Sequence, residues 1–348
     1  MPRGVLAAAA QSLKPGFRGI IYRMLLPPHD FRKPASLAEG LELLAANTTG
    51  TKLAAGGTDV TFNMRGKLFQ PDVLLSIRDL PELKGVTLLE DGALRIGAGN
   101  RLTDLERDPL VVEHLPALVP ALRAVASRHV RNMATLGGNL CLDTRCWYTN
   151  QTAEWRQAKG GCLKTNVDVC HAIKSSDICV ALNASDTAPM LIALDASVTL
   201  QSAAGTREVA LTDFYTSDGI EHTVRASNEI MIAVTVPPCN DRTVYLKEAA
   251  RKGNDFSYGV IAARAAGHGE HATDVRLVIG SLGTQPIVLD APATIAAEQG
   301  LSDPSIAAAV AATREELGVL TNLYTPAIYK SKLGRMLVRL ALEGLREL

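Results

Sequence analysis

Lys52-Leu53-Ala54-Ala55-Gly56-Gly57-Thr58-Asp59-Val60 reads as a short strand, Lys52 to Ala55, that runs straight into a double glycine. A strand ending in Gly-Gly lets the backbone come close to whatever lies beyond it, and consecutive amides there form a nest suited to phosphate oxygens. An ordinary tight turn has the same local signature, because this is neither the G-x-G-x-x-G fingerprint nor a Walker loop with its lysine. A second glycine pair is more informative than the first alone. Arg131-Asn132-Met133-Ala134-Thr135-Leu136-Gly137-Gly138-Asn139 follows an apolar helical pattern at 115–126. Two such loops in one unit suit two contacts on one extended, phosphate-bearing cofactor.

Around these loops the pattern is mixed. Leu37, Leu41, Leu44 and Ala45 fall on one helical face, with Ser36 placed to cap the helix. Val73–Ile77, Leu94–Ile96, Val198–Leu200 and Glu229–Val236 read as strands, with a turn at Asp91-Gly92. Pro237-Pro238 then breaks the chain, which places a boundary near residue 239. Beyond it, Arg242–Glu248, Gly259–Arg264 and Val275–Ser281 read as strands, and 304–317 and 326–345 as helices. The class is α+β in more than one domain, as 348 residues lead one to expect.

Charge excludes some partners. The 36 basic and 36 acidic residues cancel, so neither nucleic acid nor an anionic membrane surface is indicated. No apolar run reaches the ~18 residues that cross a bilayer. Residues 1–23 are basic, free of acids and rich in small residues, yet Val5–Ala10 is short for a signal sequence. They read as a loosely ordered extension of a soluble, cytoplasmic protein.

Cys141 to Cys179 concentrates five of the six cysteines and both tryptophans. The order is Cys141-x4-Cys146-x15-Cys162-x7-Cys170-x8-Cys179, with no C-x2-C pair. In a chain without a secretory signal such a cluster favours a metal centre, with free structural thiols and disulfides as the alternatives. Spacing alone does not choose the metal.

Taken together, AGGTDV at 55–60, RNMATLGGN at 131–139, SDTAPML at 185–191 and YLKEAARKGNDFSYG at 245–259 resemble the FAD-binding subunit of the molybdenum hydroxylase (xanthine dehydrogenase) family. The resemblance spans residue 24 to about 345. It implies an FAD domain of the vanillyl-alcohol-oxidase type at 24–239, built of two α+β subdomains, and a small α+β domain at 240–348. It implies that Leu53, Ala54, Ala55, Gly56, Gly57, Thr58, Asp59 and Val60 wrap the FAD pyrophosphate. Thr135, Leu136, Gly137, Gly138 and Asn139 would then form a second wall. Asp186 and Lys247 take the family's acidic and basic positions near the cofactor; taken alone, a helix cap and a solvated strand lysine account for them.

Residues 140–185 depart from that pattern, since ordinary members join the two motifs by a short loop. The insertion is similar to that of the β subunit of the 4-hydroxybenzoyl-CoA reductases, which implies a [4Fe–4S] cluster on Cys146, Cys162, Cys170 and Cys179. Cys141 and Cys239 stand outside it. Trp147, Tyr148 and Trp155 would supply an apolar shell, and Gly160-Gly161 a tight turn before Cys162. The resemblance further implies a molybdopterin-binding large subunit and a [2Fe–2S] small subunit as partners, ferredoxin as electron donor, and a dimer of heterotrimers. Two other readings remain at this point: an oxidising molybdenum hydroxylase without the cluster, and a structural zinc insertion.

Overall fold

The computed structural model describes residues 25–251, 253–318 and 325–348. The extension expected at 1–23 lies outside the described residues. Three sheets organise the rest. The first is parallel, ordered β1 (Asp30–Arg32), β3 (Val73–Ser76), β2 (Thr51–Ala54). Helix Leu37–Ala46 makes the crossover between β1 and β2, capped by Ser36, which accepts from the Glu39 amide. Parallel neighbours require such a crossover, and it carries Leu37, Leu41 and Leu44 into a core with Leu75, Ile230 and Ile232. The same arrangement brings the carboxyl ends of β2 and β3 side by side, where the Ile77 amide donates to the Ala54 carbonyl at 3.0 Å.

The second sheet is antiparallel, in the order β4 (Val86–Leu88), β5 (Leu94–Gly97), β8 (Ile230–Val236), β6 (Ser197–Ser202), β7 (Gly205–Ala210). β1 and β7 are not legible in the sequence. β7 is polar and half to fully exposed because it is an edge strand, and it lacks the apolar signal that marks β8. The largest core lies under this sheet, joined by Leu118, Leu122, Leu136 and the fully buried helix Ala188–Ala193.

The third sheet runs β12 (Ile287–Val288), β11 (Thr273–Gly280), β10 (Ser257–Ala266), β9 (Arg242–Ala249), antiparallel throughout. Successive side chains of a strand point to opposite faces. Ile261, Ala263, Leu277 and Ile279 therefore meet helices Asp290–Gln299, Asp303–Glu316 and Ala327–Glu347. Ala262 and Val278, one residue out of phase, join the core under the second sheet. The C-terminal unit is thus packed directly against the unit before it. Among the described residues no helix is long and apolar enough to cross a membrane.

One glycine shows how tightly the second sheet packs against the turn Pro81–Leu83 that precedes it. A Cβ on Gly97 would sit 2.5 Å from the Leu83 carbonyl oxygen, a backbone atom with no rotamer by which to yield. Gly97→Ala is expected to destabilise the protein by roughly 1–3 kcal/mol, the usual effect of overpacking. Thermal unfolding followed by circular dichroism should show a lower Tm; an unchanged Tm would mean that this contact gives way without strain.

Candidate functional site

The first glycine loop leaves β2 and turns at once. Gly56 lies against the second loop, where an added Cβ would be 2.0 Å from the Met133 carbonyl oxygen. Gly57 has φ +75°, in the left-handed region that favours glycine. Among the described residues the amides of Gly56, Gly57 and Thr58 meet no acceptor, so a cradle of unspent donors faces outward just before helix Val60–Arg65. Such donors suit phosphate oxygens. Leu53 and Ala54 hold the cradle from within β2, and Ala55 packs beside the Leu75 core.

Asp59 turns the other way. Its carboxylate accepts from the Arg145 guanidinium, from the Asp143 amide at 3.3 Å and from Asn63 Nδ2 at 3.3 Å. Burial pushes its carboxyl upward, and Arg145 opposes that. Its ion pair therefore joins the first loop to the insertion.

The second loop is arranged differently. Thr135 caps the short helix Leu136–Leu140 by accepting from the Gly138 amide at 3.1 Å. The Leu136 amide is spent on Asn100 and that of Gly137 on Ala98. The second wall thus offers shape and a hydroxyl rather than free amides, because its own cap and tertiary contacts have consumed them. Asn139 is buried, and its side-chain oxygen accepts from Ser185 Oγ at 2.8 Å and Thr187 Oγ at 2.6 Å. It fastens this loop to the Ser-Asp-Thr motif. Beside Met133 and Thr135 opens a polar cleft of about 270 Å³ lined by Arg78, Lys84, Asn100 and Arg101, with Asp79 and Asp104. These basic residues were not singled out by sequence; they lie in loops with no periodic or glycine signal.

Asp186 and Lys247, placed in different sequence motifs, meet at 2.9 Å. Lys247 also donates to the carbonyls of Ala124 (2.8 Å) and Asp255 (3.2 Å). Tyr245 donates to the Asp186 carbonyl at 3.0 Å. Burial pushes the Asp186 carboxyl upward, and the Lys247 ammonium opposes it. The pair pins β9 to the loop ahead of helix Ala188–Ala193.

The insertion is a closed loop on a stalk. Arg145 and Leu182 exchange backbone hydrogen bonds of 2.8 and 2.7 Å, so the residues between them leave and return at one point. Within it, helix Ala153–Lys159 is capped by Thr152, and the buried Arg156 donates to the Gly66 carbonyl at 2.8 Å, docking the loop on the end of helix Val60–Arg65. Gly160 and Gly161 have φ of 91° and 76° and make the tight turn that delivers Cys162.

Cys146, Cys162, Cys170 and Cys179 line one small cavity, together with Tyr148, Thr149, Lys164 and His171. Cys141 and Cys239 do not. Cys141 packs against the large core and Cys239 sits beside Asp241 and Arg264. Among the four, Cys170 accepts a hydrogen bond from the Ile173 amide at 3.4 Å. Cys162 has Thr149 Oγ at 3.6 Å. Burial pushes the Cys179 thiol up to about 11 and that of Cys146 upward as well. Of the three expected aromatics, only Tyr148 lines the cavity; it stacks 5.2 Å from the His171 ring and 6.4 Å from that of Trp155. Among the described residues no three Cys, His, Asp or Glu side chains converge to hold a single metal ion. The thiols surround a space instead.

Two loops, one with unspent amides, thus converge at the carboxyl ends of a parallel sheet. Residues 27–239 match the FAD binding domain in molybdopterin dehydrogenase, and residues 244–345 the CO dehydrogenase flavoprotein C-terminal domain. The chain belongs to the FAD-binding medium-subunit family of the molybdenum hydroxylases, the xanthine and CO dehydrogenase type. It is 31% identical over 263 residues to the xanthine dehydrogenase FAD-binding subunit of Escherichia coli O157:H7, covering 74% of this chain and 75% of that one. It is 34% identical over 260 residues to the aldehyde oxidoreductase FAD-binding subunit of E. coli K12, covering 72% and 80%. Its fold matches carbon monoxide dehydrogenase from Hydrogenophaga pseudoflava with a TM-score of 0.77 at 23% identity, over 92% of this chain and 98% of that one.

Gly57→Val is expected to yield a folded protein with little or no flavin, because a β-branched residue is strained at φ +75° and turns the cradle amides away. The absorbance ratio of flavin to protein after purification checks this. A full complement of flavin in the valine variant would remove the first loop from the site.

Proposed function

We propose that this chain is the FAD- and [4Fe–4S]-carrying electron-transfer subunit of a cytoplasmic 4-hydroxybenzoyl-CoA reductase. In this reading electrons enter from ferredoxin and pass to a [2Fe–2S] small subunit. They end at a molybdopterin-binding large subunit that removes the phenolic hydroxyl to give benzoyl-CoA, the whole assembled as a dimer of heterotrimers. FAD is the cofactor of the matched domain, and the finer reading rests on the insertion. The observation that carries it is the meeting of Cys146, Cys162, Cys170 and Cys179 at one cavity, on a stalk tied by Arg145 to Asp59 of the flavin loop.

The donor set fits an iron–sulfur cluster. Four thiols and no carboxylate line the cavity, and the Ile173 amide aims at the sulfur of Cys170. Such hydrogen bonds tune a cluster's potential. Bound there, the cluster would supply one-electron transfer beside a flavin that handles one or two. The chain's own contribution is to hold both groups at fixed separation and to keep water from the sulfurs. No catalytic acid or base is assigned here.

A second reading is supported by the likeness to xanthine dehydrogenase and aldehyde oxidoreductase subunits at 31% and 34% identity. In it the subunit serves an oxidising molybdenum hydroxylase and passes electrons outward from FAD. Iron and acid-labile sulfide on the isolated subunit separate the two. About four of each per chain, lost on Cys146→Ser, Cys162→Ser, Cys170→Ser or Cys179→Ser and kept on Cys141→Ser or Cys239→Ser, is the expected result. The assembled complex should then dehydroxylate 4-hydroxybenzoyl-CoA with reduced ferredoxin. Absence of iron, or oxidation of a purine or aldehyde with no dehydroxylation, would favour the oxidising reading.

A further inference from the structure

The polar cleft beside the second loop holds more positive charge than its own carboxylates neutralise. Its walls carry Arg78, Lys84 and Arg101 against Asp79 and Asp104. Each carboxylate already has a cation of its own: Asp104 holds Arg101 at 2.6 Å, and Asp79 holds Lys33 at 2.8 Å. Arg78 and Lys84 form no ion pair among the described residues. Arg78 spends one guanidinium nitrogen on the Met133 sulfur at 3.6 Å, and Lys84 donates to the Gly99 carbonyl. Burial pulls the Lys84 ammonium below its ordinary range, and the neighbouring Arg101 adds to that. Two unneutralised cations at one opening favour an anion between them.

The cleft is continuous with the first glycine loop. Arg78 directly follows Ile77, whose amide is bonded to the Ala54 carbonyl, so it leaves the carboxyl end of β3 beside the point where that loop leaves β2. Met133 lines the cleft, and its carbonyl oxygen is the atom that Gly56 approaches. Asn100 fixes another wall: its side-chain nitrogen donates to the Gly85 and Gly97 carbonyls at 2.7 and 2.9 Å, and its oxygen accepts from the Gly85 amide at 3.1 Å. These bonds hold the turn that presents Lys84. The volume of about 270 Å³ falls just under the ~300 Å³ at which small-molecule sites begin. It suits part of a dinucleotide and is too small for all of one.

We infer that Arg78 and Lys84 form a cationic clamp on the phosphate-bearing adenosine half of FAD, taking up the charge that the glycine cradle leaves over. This rests on the reading of the first loop as the FAD cradle. A pyrophosphate is a full dianion, whereas the amides of Gly56, Gly57 and Thr58 offer only partial charges. The second loop has none to add, since its amides are spent on Thr135, Asn100 and Ala98. Side-chain cations where the two loops meet make up the difference, and a guanidinium and an ammonium both suit phosphate oxygens. The isoalloxazine end carries no phosphate and owes nothing to this pair.

The test titrates the purified full-length chain, freed of flavin, with FAD and with ADP, reading Kd from the change in flavin fluorescence. Wild type is compared with Arg78→Gln and Lys84→Met, which remove a charge, and with Arg78→Lys and Lys84→Arg, which keep it. FAD binding should weaken about tenfold for each charge removed, the effect of losing one hydrogen bond to a charged group. The charge-keeping variants should stay near wild type. ADP should compete with FAD in wild type and about tenfold less well in Arg78→Gln or Lys84→Met, and added salt should weaken FAD binding most in wild type. Unchanged FAD affinity in both charge-removing variants, or an equal loss in the charge-keeping ones, would overturn the clamp. ADP that binds the flavin-loaded chain without displacing FAD, at a site lost in Arg78→Gln, would make the cleft a separate nucleotide site and overturn it as well. FAD that binds Gly57→Val as tightly as wild type would instead defeat the cradle on which the clamp rests.

Discussion

The Asp59 carboxylate ties the two special features of this chain together. It belongs to the first glycine loop, and it is held by the Arg145 guanidinium and the Asp143 amide at the base of the insertion. Buried ion pairs add little net stability over apolar packing, since desolvation offsets much of the attraction. Their value lies in geometry, because an unpaired Asp59 or Arg145 in this half-buried place would be costly. The pair therefore fixes where the insertion stands relative to the loop, and Arg156 repeats the fastening at Gly66 one helix further on.

From that anchor the site is built of backbone constraints. Gly56 lets the first loop touch the Met133 carbonyl, so the two loops form one surface. The loops then divide the work: the first keeps free amides, while the second spends its own on Thr135, Asn100 and Ala98 and becomes a rigid wall. Asn139 carries the rigidity onward to Ser185 and Thr187, and Asp186 carries it to Lys247 on β9. A continuous polar chain thus runs from the glycine loops into the C-terminal sheet, which is buried on both faces and has little freedom to shift.

The cysteine cavity depends on the same logic at smaller scale. The insertion has too little apolar surface for a core of its own. Its order comes from the 145–182 bridge, the Thr152 cap, the left-handed pair Gly160 and Gly161, and the thiols facing one space. The aromatic residues contribute less than their number in the sequence implies, since Trp147 and Trp155 are only half-buried and Tyr148 alone reaches the cavity.

By itself the sequence determined whatever depends on local chemistry. Periodicity located helix Leu37–Ala46, β8 and three of the four strands of the C-terminal sheet, and the Gly-Gly pairs marked both loops. Resemblance to a known insertion separated four cysteines from two, and the cavity groups them the same way. The tertiary structure alone decided what depends on long-range approach. It turned Asp59 toward Arg145, 86 residues away, and paired Asp186 with Lys247, 61 residues away. It gathered Arg78, Lys84 and Arg101 around one cleft and buried the Lys330 ammonium without a hydrogen-bond partner among the described residues. Charged side chains carry no periodic signal of their own, and their partners are fixed only when separate elements pack. The sequence could therefore name these residues without saying what each would face.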